Sequence, residues 1–229
     1  MMNTIRLLVC IVLAVPCGAL VSNIAEKFVT ERPLFQPSES PRVSARTLAI
    51  GITTMVVFVL LGWRFTDASW AELLAYLAGF AAVLLASVID LTEYRLPDVV
   101  VLPSLAIGVV LIASISIVDN SADRMRYAFL AALLAFGVLL IVHLISPNGM
   151  GFGDVKFVAL LGLMVGWQAH SFGDAVIIVL WLFLIGFAFG TVGGVALMVL
   201  RGRSQAFPFG PFLAIGALVT VLFSRALVG

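Results

Sequence analysis

Apolar and polar positions along the chain separate into eight long apolar runs with short polar breaks between them. The runs cover 5–21, 47–63, 70–89, 99–118, 127–145, 155–168, 175–200 and 209–227. Most approach the ~20 apolar residues that a helix needs to cross a bilayer. The sixth is short, so it is expected to tilt or to begin inside the membrane edge. The longest polar connection, 22–46, carries Pro33, Pro37 and Pro41, a spacing that argues against a long helix and predicts an extended, solvated loop. No internal repeat or low-complexity tract interrupts the pattern.

Composition sharpens this picture. Of 229 residues, 62% are hydrophobic and 11% charged, with mean hydropathy +1.19. A soluble domain carries about 25% charged residues and could not bury so much apolar surface. Disorder demands the opposite composition. Eight spans use roughly 160 residues, which leaves no room for a separate soluble domain. The expected fold class is therefore all-α, a polytopic membrane protein of about eight helices, organised as one integral membrane domain over 1–229. The first run is expected to be a retained helix instead of a cleaved signal, being long for a signal core and lacking a small residue before Cys17.

Charge gives orientation. Net charge is +1, from 13 basic and 12 acidic residues, so no basic excess points to nucleic acid. With eight spans, Lys27, Arg32, Arg42, Arg46, Arg95, Lys156, Arg201 and Arg203 fall on one side, eight in all, against five on the other: Arg6, Arg64, Arg124, Arg126 and Arg225. The positive-inside rule places the first side in the cytoplasm. Cys10 and Cys17 are the two cysteines, both in the first run, and their number excludes a disulfide framework or a four-cysteine zinc site. No metal site is expected.

Two acids stand against apolar runs. Asp90 ends the third and Asp154 opens the sixth, 64 positions later, both on the predicted cytoplasmic side. An acid at a membrane boundary is costly and often faces a cavity where it works. Two facing aspartates that share a proton suit aspartyl proteolysis, one drawing a proton from water and the other giving one to the scissile carbonyl. Helix ends favour charge on Asp154 and oppose it on Asp90, so Asp154 is expected to ionise more readily. Gly149, Gly151 and Gly153 alternate before Asp154, an irregular segment that lets backbone approach backbone and suits an extended substrate.

These residues form a recognisable pattern. Gly-Phe-Gly-Asp at 151–154 matches the Gly-x-Gly-Asp signature of intramembrane aspartyl proteases. The longer Asn-Gly-Met-Gly-Phe-Gly-Asp-Val-Lys-Phe, the upstream Asp-x5-Leu-Pro-Asp at 90–98 and Phe-Pro-Phe-Gly-Pro-Phe-Leu-Ala at 207–214 resemble the type IV prepilin peptidase family. The resemblance implies an aspartic endopeptidase of the bacterial inner membrane. It would remove the leader of a type IV prepilin or pseudopilin-like precursor at the cytoplasmic face, with Asp90 and Asp154 catalytic and no cofactor or metal for cleavage. Its expected partners are that precursor and membrane lipid, with no nucleic acid.

Many members also carry a cytoplasmic domain with two Cys-x-x-Cys pairs and methylate the new amino terminus with S-adenosylmethionine. The 22–46 loop has no cysteine and is too short for that domain. A peptidase without the methyltransferase is the expectation, with a bifunctional enzyme as the variant that would need S-adenosylmethionine.

Other residues carry smaller expectations. Glu93 and Asp98 are expected as solvated loop acids, with assistance to Asp90 the alternative. Lys156 tunes the pair or marks the cytoplasmic boundary. Pro97 keeps Leu96 out of a helix, and Pro208 and Pro211, on either side of Gly210, are expected in the first turn of the last helix, shaping the site wall. His143 is expected buried against a neighbouring helix, and Gly186 and Gly190 at a close helix crossing. The rivals are a small proton- or cation-coupled transporter, which also places acids beside a broken helix, and a scaffold that assembles pilus components.

Overall fold

A computed structural model of the chain describes residues 2–29, 44–147, 150–201 and 207–228. Among these, the regular structure is entirely helical. In chain order the helices are α1 (Met2–Val29), α2 (Ala45–Arg64), α3 (Trp70–Glu93), α4 (Asp98–Val118), α5 (Ala122–Ile145), α6 (Phe152–Gly166), α7 (Phe172–Arg201) and α8 (Gly210–Val228). Seven are long and apolar enough to cross a membrane; the exception is α6, with 15 residues. At 1.5 Å per residue α6 rises about 22 Å, short of a ~30 Å hydrocarbon core.

The reason α6 can be short is its position. Every residue from Phe157 to Gly166 is buried, so the helix is wrapped by others instead of lipid. It packs closest on α5, where a Cβ on Gly162 would stand 2.8 Å from the Ala131 carbonyl oxygen and 2.9 Å from the Ala135 Cβ. Small residues on both helices let the backbones meet, the usual source of adhesion where lipid removes the hydrophobic drive between helices. Gly186 and Gly190 of α7 receive Leu213 and Phe209 of the α8 region in the same way, as expected.

The local signals set the helix ends. Ser44 caps α2 by accepting from the Thr47 N–H, and Ser69 caps α3 by accepting from the Glu72 N–H. Tyr94 ends α3 in the left-handed region, φ 53°, its N–H returning to the Asp90 carbonyl. One boundary differs from expectation. Helix α1 continues through Ser22 to Val29, so the loop expected over 22–46 is helical in its first part; Pro33, Pro37 and Pro41 lie outside the described residues. Polar residues there mark the end of the apolar run but not the end of the helix.

The bundle has two polar ends. At one, the α1 start meets the α2–α3 turn through Arg6, which donates to the carbonyls of Phe65 and Ala68. Arg64 reaches α8 at the same end, and Arg124 of α5 reaches the end of α6. Residues 94–97, the start of α6 and residues 207–210 gather at the other end, where the aspartates lie. The alternation of loops expected from eight consecutive spans holds for the described residues.

Candidate active site

Helix α3 delivers Asp90 in its last turn and α6 delivers Asp154 in its first. Asp90 is 3% exposed, whereas Asp154 is half-buried beside exposed Gly151 and Phe152. The α8 start closes over Asp90: the Gly210 N–H donates to Asp90 Oδ2 at 2.9 Å. A Cβ on Gly210 would stand 2.9 Å from that same oxygen, so only glycine leaves the carboxylate its place. Leu96 then joins the two acids. Its side chain would lie 3.5 Å from a Gly210 Cβ, and its Cβ and carbonyl oxygen 3.0 Å from one on Gly153. Residues 64 positions apart thus converge around one leucine.

Asp154 is the third residue of α6, whose N-cap is Gly151, and a Cβ on Gly151 would stand 3.4 Å from Asp154 Oδ2. The expected bias of charge toward Asp154 rests on helix ends alone, and the Gly210 donor on Asp90 opposes it.

A second ring of contacts fixes the loop before Asp154. The His143 Nδ1–H donates to the Met150 carbonyl at 2.9 Å, and its ring lies tilted 5.4 Å from that of Phe152. Lys156 Nζ stands 4.9 Å from the Phe152 ring centroid on its way to Asp98, whose two carboxylate oxygens it meets at 2.7 and 2.6 Å.

The predicted residues fall as follows. Gly151 lies against Asp154, Gly153 against Leu96, and Gly210 against Asp90 and Leu96. Gly149 lies outside the described residues. Pro97 is the N-cap of α4 and holds Leu96 out of the helix, as expected. Asp98 is exposed, as expected, but it opens α4 instead of lying in the loop and pairs with Lys156. Glu93 is half-buried in the last turn of α3 instead of solvated. Pro211 is in the first turn of α8, but Pro208 precedes the helix, buried in the segment leading to it. His143 is half-buried and bonds the loop, not a neighbouring helix.

Sequence reasoning passed over Leu96 and Phe152, although both sit inside the quoted motifs at unspecified or apolar positions. Ser87, one turn before Asp90, was also missed; its hydroxyl is buried and has no hydrogen-bond partner among the described residues.

The family model described as "Type IV leader peptidase family" matches residues 76–195, more than half of the chain and the stretch that holds both aspartates. The chain belongs to the type IV leader peptidase family. Among curated relatives, the prepilin leader peptidase/N-methyltransferase of Pseudomonas putida is 31% identical over 183 residues, covering 80% of this chain and 60% of that protein. The protein of the same name from Aeromonas salmonicida (strain A449) is 31% identical over 186 residues, 81% of this chain and 60% of its own. That from Escherichia coli (strain K12) is 35% identical over 94 residues, 39% of this chain and 40% of its own. This leader peptidase family member therefore spans about three-fifths of the length of the first two relatives. No solved structure gives a significant match.

Proposed function

We propose that this chain is an aspartic endopeptidase that removes the leader from type IV prepilin or pseudopilin-like precursors, with Asp90 and Asp154 as the catalytic pair. The observation that carries this reading is the convergence of the two motif aspartates on Leu96, inside the segment that the leader peptidase family matches. The relatives' printed names support the same substrate class.

The chemistry follows from two carboxylates at short range. Like charges held together favour one shared proton. The ionised acid takes a proton from a water poised between the pair while that water attacks the scissile carbonyl carbon. The protonated acid gives its proton to the carbonyl oxygen, forming a neutral tetrahedral diol. In the collapse the protonated acid gives its proton to the leaving nitrogen while the ionised acid takes one from a diol hydroxyl; the C–N bond breaks, the carbonyl re-forms, and the pair again holds one proton. Water has a route on the Asp154 side, which is half-buried beside the exposed glycine loop. Gly153 and Gly210, with no side chains, let Leu96 and the Asp90 carboxylate come up against the backbone and so hold the pair in place.

The eight-to-five distribution of basic residues supports a cytoplasmic site in the bacterial inner membrane. The acids lie at one end of the bundle and not at its middle, which favours a peptidase over a proton- or cation-coupled transporter.

The relatives' names also include N-methyltransferase, an activity that would use S-adenosylmethionine. The 22–46 segment of this chain has no cysteine, which supports a peptidase without the methyltransferase.

Coexpression with a prepilin from the same genome tests the reading. Wild-type protein should shift the precursor to the mature mobility, and Asp90→Ala or Asp154→Ala should abolish the shift. A shift that survives both substitutions, or no shift with any prepilin of that genome, would overturn it.

A further inference from the structure

Helices α2, α3 and α8 enclose a groove of about 590 Å³. Ile50 and Val57 line it from α2, Phe80 and Val83 from α3, and Ala214 and Leu218 from α8. Along α3 it extends from Phe80 to Thr92, roughly 18 Å or three helical turns. Its flank opens toward lipid at Ile52, which is 63% exposed.

Two observations say what fills it. The groove is continuous with the candidate site: it ends at Pro211, next to the Gly210 that holds Asp90, and at Thr92, which Arg46 of α2 approaches at 3.5 Å. A peptide bond placed at the aspartates therefore has its following residues at the groove mouth. The second observation is Ser87, which lines the groove, is 6% exposed, and has no partner for its buried hydroxyl among the described residues. An acyl chain offers that hydroxyl nothing. The first turn of a helix offers a set of N–H groups with no partner of their own, and in a lipid setting such groups must be satisfied.

We infer that the α2–α3–α8 groove is the dock for the apolar helix of the precursor, with the Ser87 hydroxyl accepting an N–H from its first turn. This rests on the peptidase reading and adds to it a place and a polarity. The leader lies at the polar end of the bundle, and the helix runs along α3 into the membrane.

The test uses the full-length chain in membranes, made inactive by Asp154→Asn, with a prepilin coexpressed. A photoreactive amino acid replaces Ile215, which lines the groove, or Leu133 of α5, which is 68% exposed outside it. At least tenfold more precursor adduct from position 215 than from 133 is expected. Equal adducts at both positions, or phospholipid adducts alone from 215, would overturn the dock. Cleavage by the wild-type chain with no adduct at 215 overturns the dock alone. An adduct at 215 without cleavage leaves the dock standing and sinks the peptidase reading, and absence of both overturns the two together. For Ser87, Ser87→Ala should raise KM for the precursor about tenfold with kcat within twofold, and Ser87→Thr should restore KM. An unchanged KM in Ser87→Ala removes the serine from the dock.

Discussion

The two polar ends of the bundle solve opposite problems. At the end away from the aspartates, buried charge has several partners per group, although Arg6 Nε is left without one among the described residues. Arg64 is 8% exposed and donates to the Val221 carbonyl at 3.1 Å, to Ser224 Oγ at 2.8 Å and to Gln168 Oε1 at 3.1 Å. Gln168 passes the chain on to the Tyr76 hydroxyl at 2.7 Å, which donates to the Met164 carbonyl at 2.9 Å. Arg124 pairs with Glu72 at 2.6 Å, donates to the Trp167 carbonyl at 3.1 Å and lies over the Trp167 ring. Five helices are tied by these bonds. At the aspartate end, Asp90 is just as buried but has a single backbone donor, and the nearby Lys156 is bound to Asp98. A buried charge matched by cations and dipoles holds a fold together; one left with few partners keeps its capacity to react. The difference teaches that burial alone does not mark function, and that the number of partners does.

The sharpest way to break this division is to neutralise an aspartate. Asp154→Asn should lower precursor cleavage about a thousandfold or more, the scale seen when one member of a catalytic unit is lost. The protein should keep its thermal stability in detergent, since no cation depends on that carboxylate. Loss of stability in place of activity would move Asp154 into the structural class. The converse experiment is Arg64→Leu. It removes the hydrogen bonds to the Val221 carbonyl, Gln168 Oε1 and Ser224 Oγ, and should cost about 3 kcal/mol, since bonds from a charged donor contribute more than neutral ones. Thermal unfolding should show the loss, while kcat of the folded fraction stays as in the wild type. A change in kcat at full stability would mean the two ends are coupled.

These ends were not equally legible in the sequence. Asp90 and Asp154 stood out because each interrupts an apolar run, and the glycines around Asp154 supplied a local pattern. The eight runs placed both acids at one end by counting alone. The Arg64–Gln168–Tyr76 and Arg124–Glu72 bonds join residues 52 to 104 positions apart, and nothing local to Arg64 or Glu72 marks a partner. Arg64 and Arg124 were read only as orientation markers. Helix α1 was cut short because Ser22, Glu26 and Lys27 end the apolar pattern, whereas helix hydrogen bonding continues past the lipid. The pairing of Lys156 with Asp98 was hidden for a similar reason: its local neighbour, Asp154, is the wrong partner.

Gly210 sharpens the comparison from the side of geometry. Its missing side chain leaves Asp90 in place, and Gly210→Ala would put a methyl group 2.9 Å from Oδ2. The carboxylate must then shift, and misplacement of a reacting group on the ångström scale costs about 10²-fold. Steady-state kinetics on a purified precursor should show kcat falling roughly thirtyfold to a hundredfold. Thermal stability should fall by only about 1–3 kcal/mol, the usual cost of overpacking. A variant with unchanged kcat would show that the Asp90 position is not critical to turnover.

The smallest effect belongs to the ion pair of Lys156 and Asp98 at the aspartate end. The Asp98 side chain is 54% exposed, so solvent screens the pair despite its 2.6 Å contact. Exposed pairs contribute about 0–1 kcal/mol, so Lys156→Met should leave unfolding nearly unchanged. Its effect on cleavage depends on which job the pair does. If it anchors the start of α4 to the first turn of α6, either single neutralisation loosens the gap at Leu96, and activity should fall a fewfold. The charge-swapped Lys156→Asp/Asp98→Lys protein should then recover most of it. If Lys156 instead acted on the aspartates through its charge, the swap would place a third acid beside them. Activity would then fall further than in either single variant and its pH profile would move, whereas an anchor predicts recovery with the profile unmoved. Recovery would place this pair with the matched charges of the opposite end, a structural bond within one turn of the reacting groups.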